Sequence, residues 1–328
     1  MNNKIMFYLI LPILIMTPFF LMMMNNWISI WIIMEINLMM FTPTMIYFNN
    51  KEIASKYFII QVFSSMMLLF SCFLMIQYKS INMYKFNYSI NLLLSMMILL
   101  KMGSSPFHYW FIYLMNNMSW SNCLLLSTWQ KIPPMMIITY INQYQLIYWS
   151  MNLTLIIGSI YGLYNSSIRN IMAYSSLSQM SWMIMILTDL ESLWMIYYSI
   201  YFMINYIIMM MFNNYKIFYL NQMYIIPLKF KLILILSFFT LSGMPPLMGF
   251  FLKLSVLMYM KNFLIWTSLL FVMMSIISFM FYMRMIYMMM MFYNYYNNQI
   301  NLKKINKMIF KNFIFINLMI WLMMIILI

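Results

Sequence analysis

Long apolar runs separated by short polar clusters make up nearly all of this 328-residue chain. A helix needs roughly 17–25 mostly apolar residues to cross a bilayer. Eleven runs fit that requirement: 5–24, 27–48, 57–77, 90–115, 123–141, 149–165, 171–187, 193–212, 232–260, 263–283 and 308–328. With 66% hydrophobic and 7% charged residues, a soluble globule could not hide the surface, because folding buries only about three quarters of it. Lipid must cover the rest. The expectation is an all-α polytopic membrane protein with about eleven transmembrane helices, residues 1–328 forming one transmembrane domain.

The loop charges test that count. With eleven spans, the N-terminus and every second loop share one side, and that side collects eleven cations, including Arg169, Lys231 and Arg284. The other side holds Lys79, Lys85 and Lys261 together with Asp189 and Glu191. Cations concentrate on the side of synthesis, so the N-terminus is expected there and the C-terminus opposite. The net charge of +14 is scattered singly rather than gathered in a stripe, which argues against nucleic acid as a partner. Cys72 and Cys123 lie in apolar runs and form no CxxC pair, so neither a disulfide nor a metal or iron–sulfur site is expected. Five glycines leave no GxGxxG or phosphate loop for a nucleotide. Gly158 and Gly162 make a small-xxx-small face suited to close helix packing.

Charge inside the runs is the anomaly. Lys311 lies near the start of its run and can snorkel to the interface. Lys101, Lys131 and Lys253 are deep, as is Glu35. Each lysine at a helix centre costs about 2.5–3.5 kcal/mol, and three together approach the ~5–15 kcal/mol net stability of a domain. A structural ion pair with Glu35 would account for one of them. An ion pathway accounts for all three, since a lysine shielded from water with a carboxylate in reach can take up and release a proton.

Prolines accompany each deep lysine. Pro106 has no amide hydrogen, so the carbonyl of Met102 loses its helical partner; Pro133 and Pro134 do the same to Trp129 and Gln130, and Pro245 and Pro246 to Leu241 and Ser242. Broken helices at membrane depth survive where they are buried in protein or line a hydrated cavity. His108, the only histidine, is seven residues beyond Lys101, on the same face if the helix is unbroken. It is either a satisfied polar group or a relay that titrates near neutrality.

The segments "MEINLMMF", "KMGSSPFHYWF", "WQKIPPM", "RNIMAYSSLSQMSWM" and "LSGMPPLMGFFLKL" closely resemble, in order and over nearly the full length, the chain 2 family of animal mitochondrial NADH:ubiquinone oxidoreductase, respiratory complex I. The resemblance implies an antiporter-like fold with two broken helices, in a membrane-arm subunit of the inner mitochondrial membrane. Its N-terminus would face the matrix and its C-terminus the intermembrane space. Such a subunit belongs to an H+-translocating NADH:ubiquinone reductase but has no redox site of its own. NADH, FMN, iron–sulfur clusters and ubiquinone would be handled by other subunits. The partners implied are other membrane-arm subunits and lipid. By the same resemblance, Glu35 and Lys101 match a glutamate–lysine pair, Lys131 the central lysine, Lys253 the lysine after the second broken helix and His108 the "PFH" histidine. Where the family often reads "SSISHMGW", this chain has "SSLSQMSW"; Gln179 cannot titrate, although Ser178 and Gln179 could order a water chain. Two other functions compete: a free-standing cation/proton antiporter, for which Glu35 is the only deep carboxylate, and a tether that passes no protons, which leaves Lys131 and Lys253 unexplained.

Overall fold

The structure, a computed structural model, describes residues 2–47, 51–79, 84–141, 144–187, 191–245, 247–260 and 265–291. Pro246, Asp189, Lys261, Lys311 and the run 308–328 lie outside the described residues. Among those described, every extended element is helical: α1 (Asn2–Met22), α2 (Trp27–Tyr47), α3 (Lys51–Lys79), α4 (Tyr84–Met102), α5 (Tyr109–Asn117), α6 (Trp120–Ser127), α7 (Ile132–Ile138), α8 (Tyr144–Tyr164), α9 (Ile168–Leu187), α10 (Glu191–Tyr215), α11 (Leu228–Ser242), α12 (Met248–Met260) and α13 (Ile265–Met291).

Among the described residues, five whole helices are by themselves long and apolar enough to cross a membrane: α2, α3, α8, α10 and α13. In α1 the apolar stretch is the shorter Ile10–Met22, and two physical reasons account for four more of the expected runs. Three apolar runs, not two, are interrupted. The run 90–115 is split into α4 and α5, 123–141 into α6 and α7 around a 3-10 turn at Trp129–Lys131, and 232–260 into α11 and α12. The second reason is α9, which is long but carries Ser175, Ser176, Ser178, Gln179 and Ser181.

Polarity and burial coincide in α9. It is enclosed along almost its whole length and touches α5, α7, α8, α10, α12 and α13. Its serines are satisfied within the helix: Ser175, Ser176, Ser178 and Ser181 each donate to the carbonyl three residues back, at 2.6–2.8 Å. Small self-satisfied side chains let neighbouring backbones come close. Against α9, Gly158 is indispensable, since a Cβ there would lie 2.7 Å from the backbone nitrogen of Ser178. Gly162 instead faces the ring of Phe281. The expected small-residue face therefore packs on two different helices.

Three of the loop cations are anchored on helix carbonyls. Lys231 is only 3% exposed and donates to the carbonyl of Met289, near the end of α13, at 2.7 Å. Arg284, half-buried, donates to the carbonyls of Leu163, Gly162 and Asn165 at the end of α8. Arg169 donates to Met118 O, at the end of α5, at 2.6 Å. The last carbonyls of a helix lack internal partners and carry the negative end of its dipole. Arg169 and Arg284 cap such ends, and Lys231 takes a carbonyl of α13.

Candidate functional site

Helix α4 ends one residue after Lys101, and the end is built by glycine. Gly103 has φ +70°, a conformation that a side chain disfavours. Its amide bonds to Leu100 O at 3.1 Å, and that of Ser104 to Leu99 O at 3.1 Å, the paired bonds of a Schellman motif. Two side chains add bonds from outside: Trp110 Nε1 is a second donor to Leu100 O (3.0 Å) and Gln61 Nε2 donates to Lys101 O (3.3 Å). Lys101 is 7% exposed and lies in the electrostatic field of Glu35. Glu35 Oε1 is itself buried without a hydrogen-bond partner.

Lys131 ends the 3-10 turn that joins α6 to α7, with Pro133 and Pro134 opening α7. Proline fits there because the first turn of a helix needs no amide donors. The expected loss at Trp129 is not seen: the Ile132 amide closes a 3-10 bond to its carbonyl. Lys131 is 3% exposed. Its ammonium donates to Ser176 Oγ at 3.2 Å and to Ser176 O at 3.4 Å, and sits 4.5 Å above the Phe111 ring, within cation–π range.

Lys101 and Lys131 open on one cavity. Its polar wall is Asn37, Tyr57, Gln61 and Gln130, and its volume is about 20 Å³, above the roughly 10–15 Å³ that one water requires. Asn37 and Gln130 exchange two hydrogen bonds across it, Asn37 Nδ2 to Gln130 Oε1 at 2.8 Å and Gln130 Nε2 to Asn37 Oδ1 at 3.2 Å. Asn37, Gln61 and Gln130 are site residues that sequence reasoning missed. The available signal was an amide side chain inside an apolar run, one of them directly beside Lys131.

A second centre lies across α9. Helix α11 ends at Ser242 with Gly243 at φ +81°, and the same motif returns: the Gly243 amide bonds to Thr240 O (3.2 Å) and Met244 to Phe239 O (3.1 Å). The two carbonyls that the proline pair was expected to release are both recaptured. Gln179 Nε2 donates to Leu241 O at 3.0 Å, and Lys253 Nζ to Ser242 O at 2.8 Å. Lys253, 7% exposed, shares a cavity of about 10 Å³ with Gln179, Tyr197, Tyr201 and Thr240. Tyr197 Oη donates to Gln179 Oε1 at 2.5 Å. Gln179 is thus held at both ends by protein, and Ser178 is spent on Ser175 O.

His108 stands apart from both centres. It precedes the start of α5 without capping it through its side chain, lies tilted by 32° against Tyr109 with ring centroids 4.1 Å apart, and sets Nδ1 3.2 Å from Pro106 O. It does not line the Lys101 cavity.

The transmembrane family NADH:quinone oxidoreductase/Mrp antiporter matches residues 24–280 of the chain. Over 291 residues the chain is 37% identical to NADH-ubiquinone oxidoreductase chain 2 of Anopheles gambiae, covering 85% of this chain and 84% of that one. Over 317 residues it is 34% identical to the chain 2 of Locusta migratoria, covering 94% and 92%. Among solved structures, respiratory complex I from Thermus thermophilus with bound aureothin contains a chain of similar fold. The TM-score is 0.79 at 17% identity, over 87% of this chain and 70% of that one. The Mrp complex from Dietzia sp. gives 0.67 at 13%, over 80% and 56%. At these identities the structural likeness speaks for the fold alone.

Proposed function

The chain belongs to the NADH-ubiquinone oxidoreductase chain 2 family, and from that premise we propose that it is an antiporter-like membrane-arm subunit of respiratory complex I. In this reading it translocates protons across the inner mitochondrial membrane, driven by NADH oxidation and ubiquinone reduction on other subunits. The chain itself binds no redox cofactor; NADH, FMN, the iron–sulfur clusters and ubiquinone stay with its partners. Its residues 1–328 act as one domain of about eleven spans, with the N-terminus in the matrix and the C-terminus in the intermembrane space.

The observation that supports this most is the cavity shared by Lys101 and Lys131. Two ammonium groups facing one water-sized space repel each other, so they are better accommodated when a single proton is shared between them. Glu35 acts on Lys101 alone, and so biases where that proton rests. Any movement of α2 relative to α4 would change the bias and send the proton toward Lys131 or back. Lys131 is held by a hydroxyl and a carbonyl, neutral groups that can let a proton go. Lys253 continues the series on the far side of α9.

The fold likeness to an Mrp complex favours one alternative, a free-standing cation/proton antiporter. The acids oppose it: of four in the sequence, only Glu35 lies deep in an apolar run, and a metal cation needs several oxygen ligands. Affinity capture of the subunit from detergent-solubilised inner membranes decides between them. The proposal expects recovery in one large assembly with flavin and iron–sulfur subunits. Recovery alone, with transport activity, would favour the antiporter. In the same membranes, the segment 213–231 should be open to protease from the matrix side, and access only from the other side would reverse the orientation.

A further inference from the structure

Three tyrosines surround Gln179, and the lysines alone give them no role. Tyr197 and Tyr201 are one turn apart on α10 and Tyr282 comes from α13; all three are buried. Tyr197 Oη donates to Gln179 Oε1 at 2.5 Å. The Tyr282 hydroxyl faces Ser175 and Gln179 but closes a hydrogen bond to neither. The Tyr201 hydroxyl is 3.5 Å from Ser127 O and faces the side chain of Asn205 and, next, that of Ser176; Ser176 Oγ accepts from Lys131. Tyr201 also lines the cavity of Lys253. Its hydroxyl therefore lies between the partner of one buried lysine and the space beside the next.

Packing does not call for these hydroxyls. Phenylalanine would fill the same volume, and a buried polar group left without a partner costs about 1–3 kcal/mol. A hydroxyl differs from a methyl-sized cap in one useful respect: it accepts a proton on a lone pair while giving up its own. Gln179, at the centre of the group, cannot titrate, so whatever connects the two lysines here must pass a proton without holding a charge.

We infer that Tyr201, with Tyr197 and Tyr282 gathered on Gln179, is a hydroxyl bridge that carries protons between Lys131 and Lys253. The inference rests on the proton-translocating reading of those lysines. In the step, an N–H bond of the Lys131 ammonium breaks and its proton joins the Ser176 oxygen. Ser176 turns its hydroxyl away from Ala173 O and passes its own proton to Tyr201, and Tyr201 passes its own into the cavity beside Lys253. The neutral Lys253 amine there forms the new N–H bond. Each hydroxyl ends with one proton, as it began, and one positive charge has moved from Lys131 to Lys253. Tyr197 is a positioning residue that holds Gln179, and through it the end of α11, in register.

The test uses assembled complex I in sealed inner-membrane vesicles, reading protons moved per quinone reduced and the effect of deuterated solvent on turnover. Both are independent of how much complex assembles. Losing a proton-transfer group slows its step by ~10²–10⁴, so Tyr201→Phe should lower the proton ratio at least about twofold and change the solvent isotope effect. Tyr148→Phe, which removes a buried hydroxyl of α8 that also has no hydrogen-bond partner, should change neither. An unchanged ratio in Tyr201→Phe, with Lys131→Met lowering it, overturns the bridge and leaves the lysine reading intact. An unchanged ratio in Lys131→Met as well removes the reading on which the bridge depends. An equal fall in Tyr148→Phe would also overturn the inference, since any buried hydroxyl would then matter as much.

Discussion

The two broken helices α4 and α11 end in the same way and hold their lysines differently. Each finishes in a left-handed glycine with two crossed backbone bonds. Lys101 comes before its glycine, in the last turn of α4, and has the Glu35 carboxylate within electrostatic range. Lys253 comes ten residues after Gly243 and reaches back to the exposed carbonyl of Ser242. A cation in a low-dielectric interior can therefore be kept in two ways: by an opposite charge, or by the unsatisfied carbonyls that a broken helix presents. The first couples the lysine to another helix that can move. The second ties it to the break itself, and its strength is fixed by the fold.

If that contrast is right, damage to the second site should appear first as lost structure. Gly243→Ala puts a Cβ where the backbone is left-handed, at a cost of roughly 1–2 kcal/mol, and 2.9 Å from Lys253 Cδ. Assembled complex should fall several-fold on native gels, with the remaining fraction pumping poorly. Normal assembly in Gly243→Ala would show that the break is not what holds Lys253.

Damage to the first site should appear as lost coupling instead. Glu35→Gln keeps the shape of the side chain and removes the charge that acts on Lys101. The fall in coupled turnover should be smaller than in Gly243→Ala, with assembly near normal. Parallel loss of assembly and activity would mean that Glu35 and Lys101 form a structural pair, and the contrast between the sites would collapse.

Much of this was legible in the sequence for a specific reason. A lysine in an apolar run has one physical excuse and a nearby proline another, so their repeated coincidence pointed to Lys101, Lys131 and Lys253 before any geometry was known. The carbonyls of Leu241 and Ser242 were named by chain position alone, because the missing proline amide lies a fixed four residues away. Other features depend on where helices cross. Lys231 reads as a loop charge, yet its buried ammonium donates to a backbone carbonyl of α13. His108 reads as a neighbour of Lys101 only while the helix is continuous. Tyr197, Tyr201 and Tyr282 pass for apolar packing, since a tyrosine is a ring with one polar tip and only the contacts around Gln179 show where those tips converge.

Lys131 carries the central claim, because among the described residues no carboxylate is paired with it and a neutral side chain of similar length removes a burial cost rather than adding one. The direct measurement is protons moved per quinone reduced by Lys131→Met complex in sealed vesicles, alongside the amount assembled. The account predicts normal assembly with a ratio well below that of the unsubstituted complex. A normal ratio at normal assembly would contradict it and leave the chain as a tether between its neighbours.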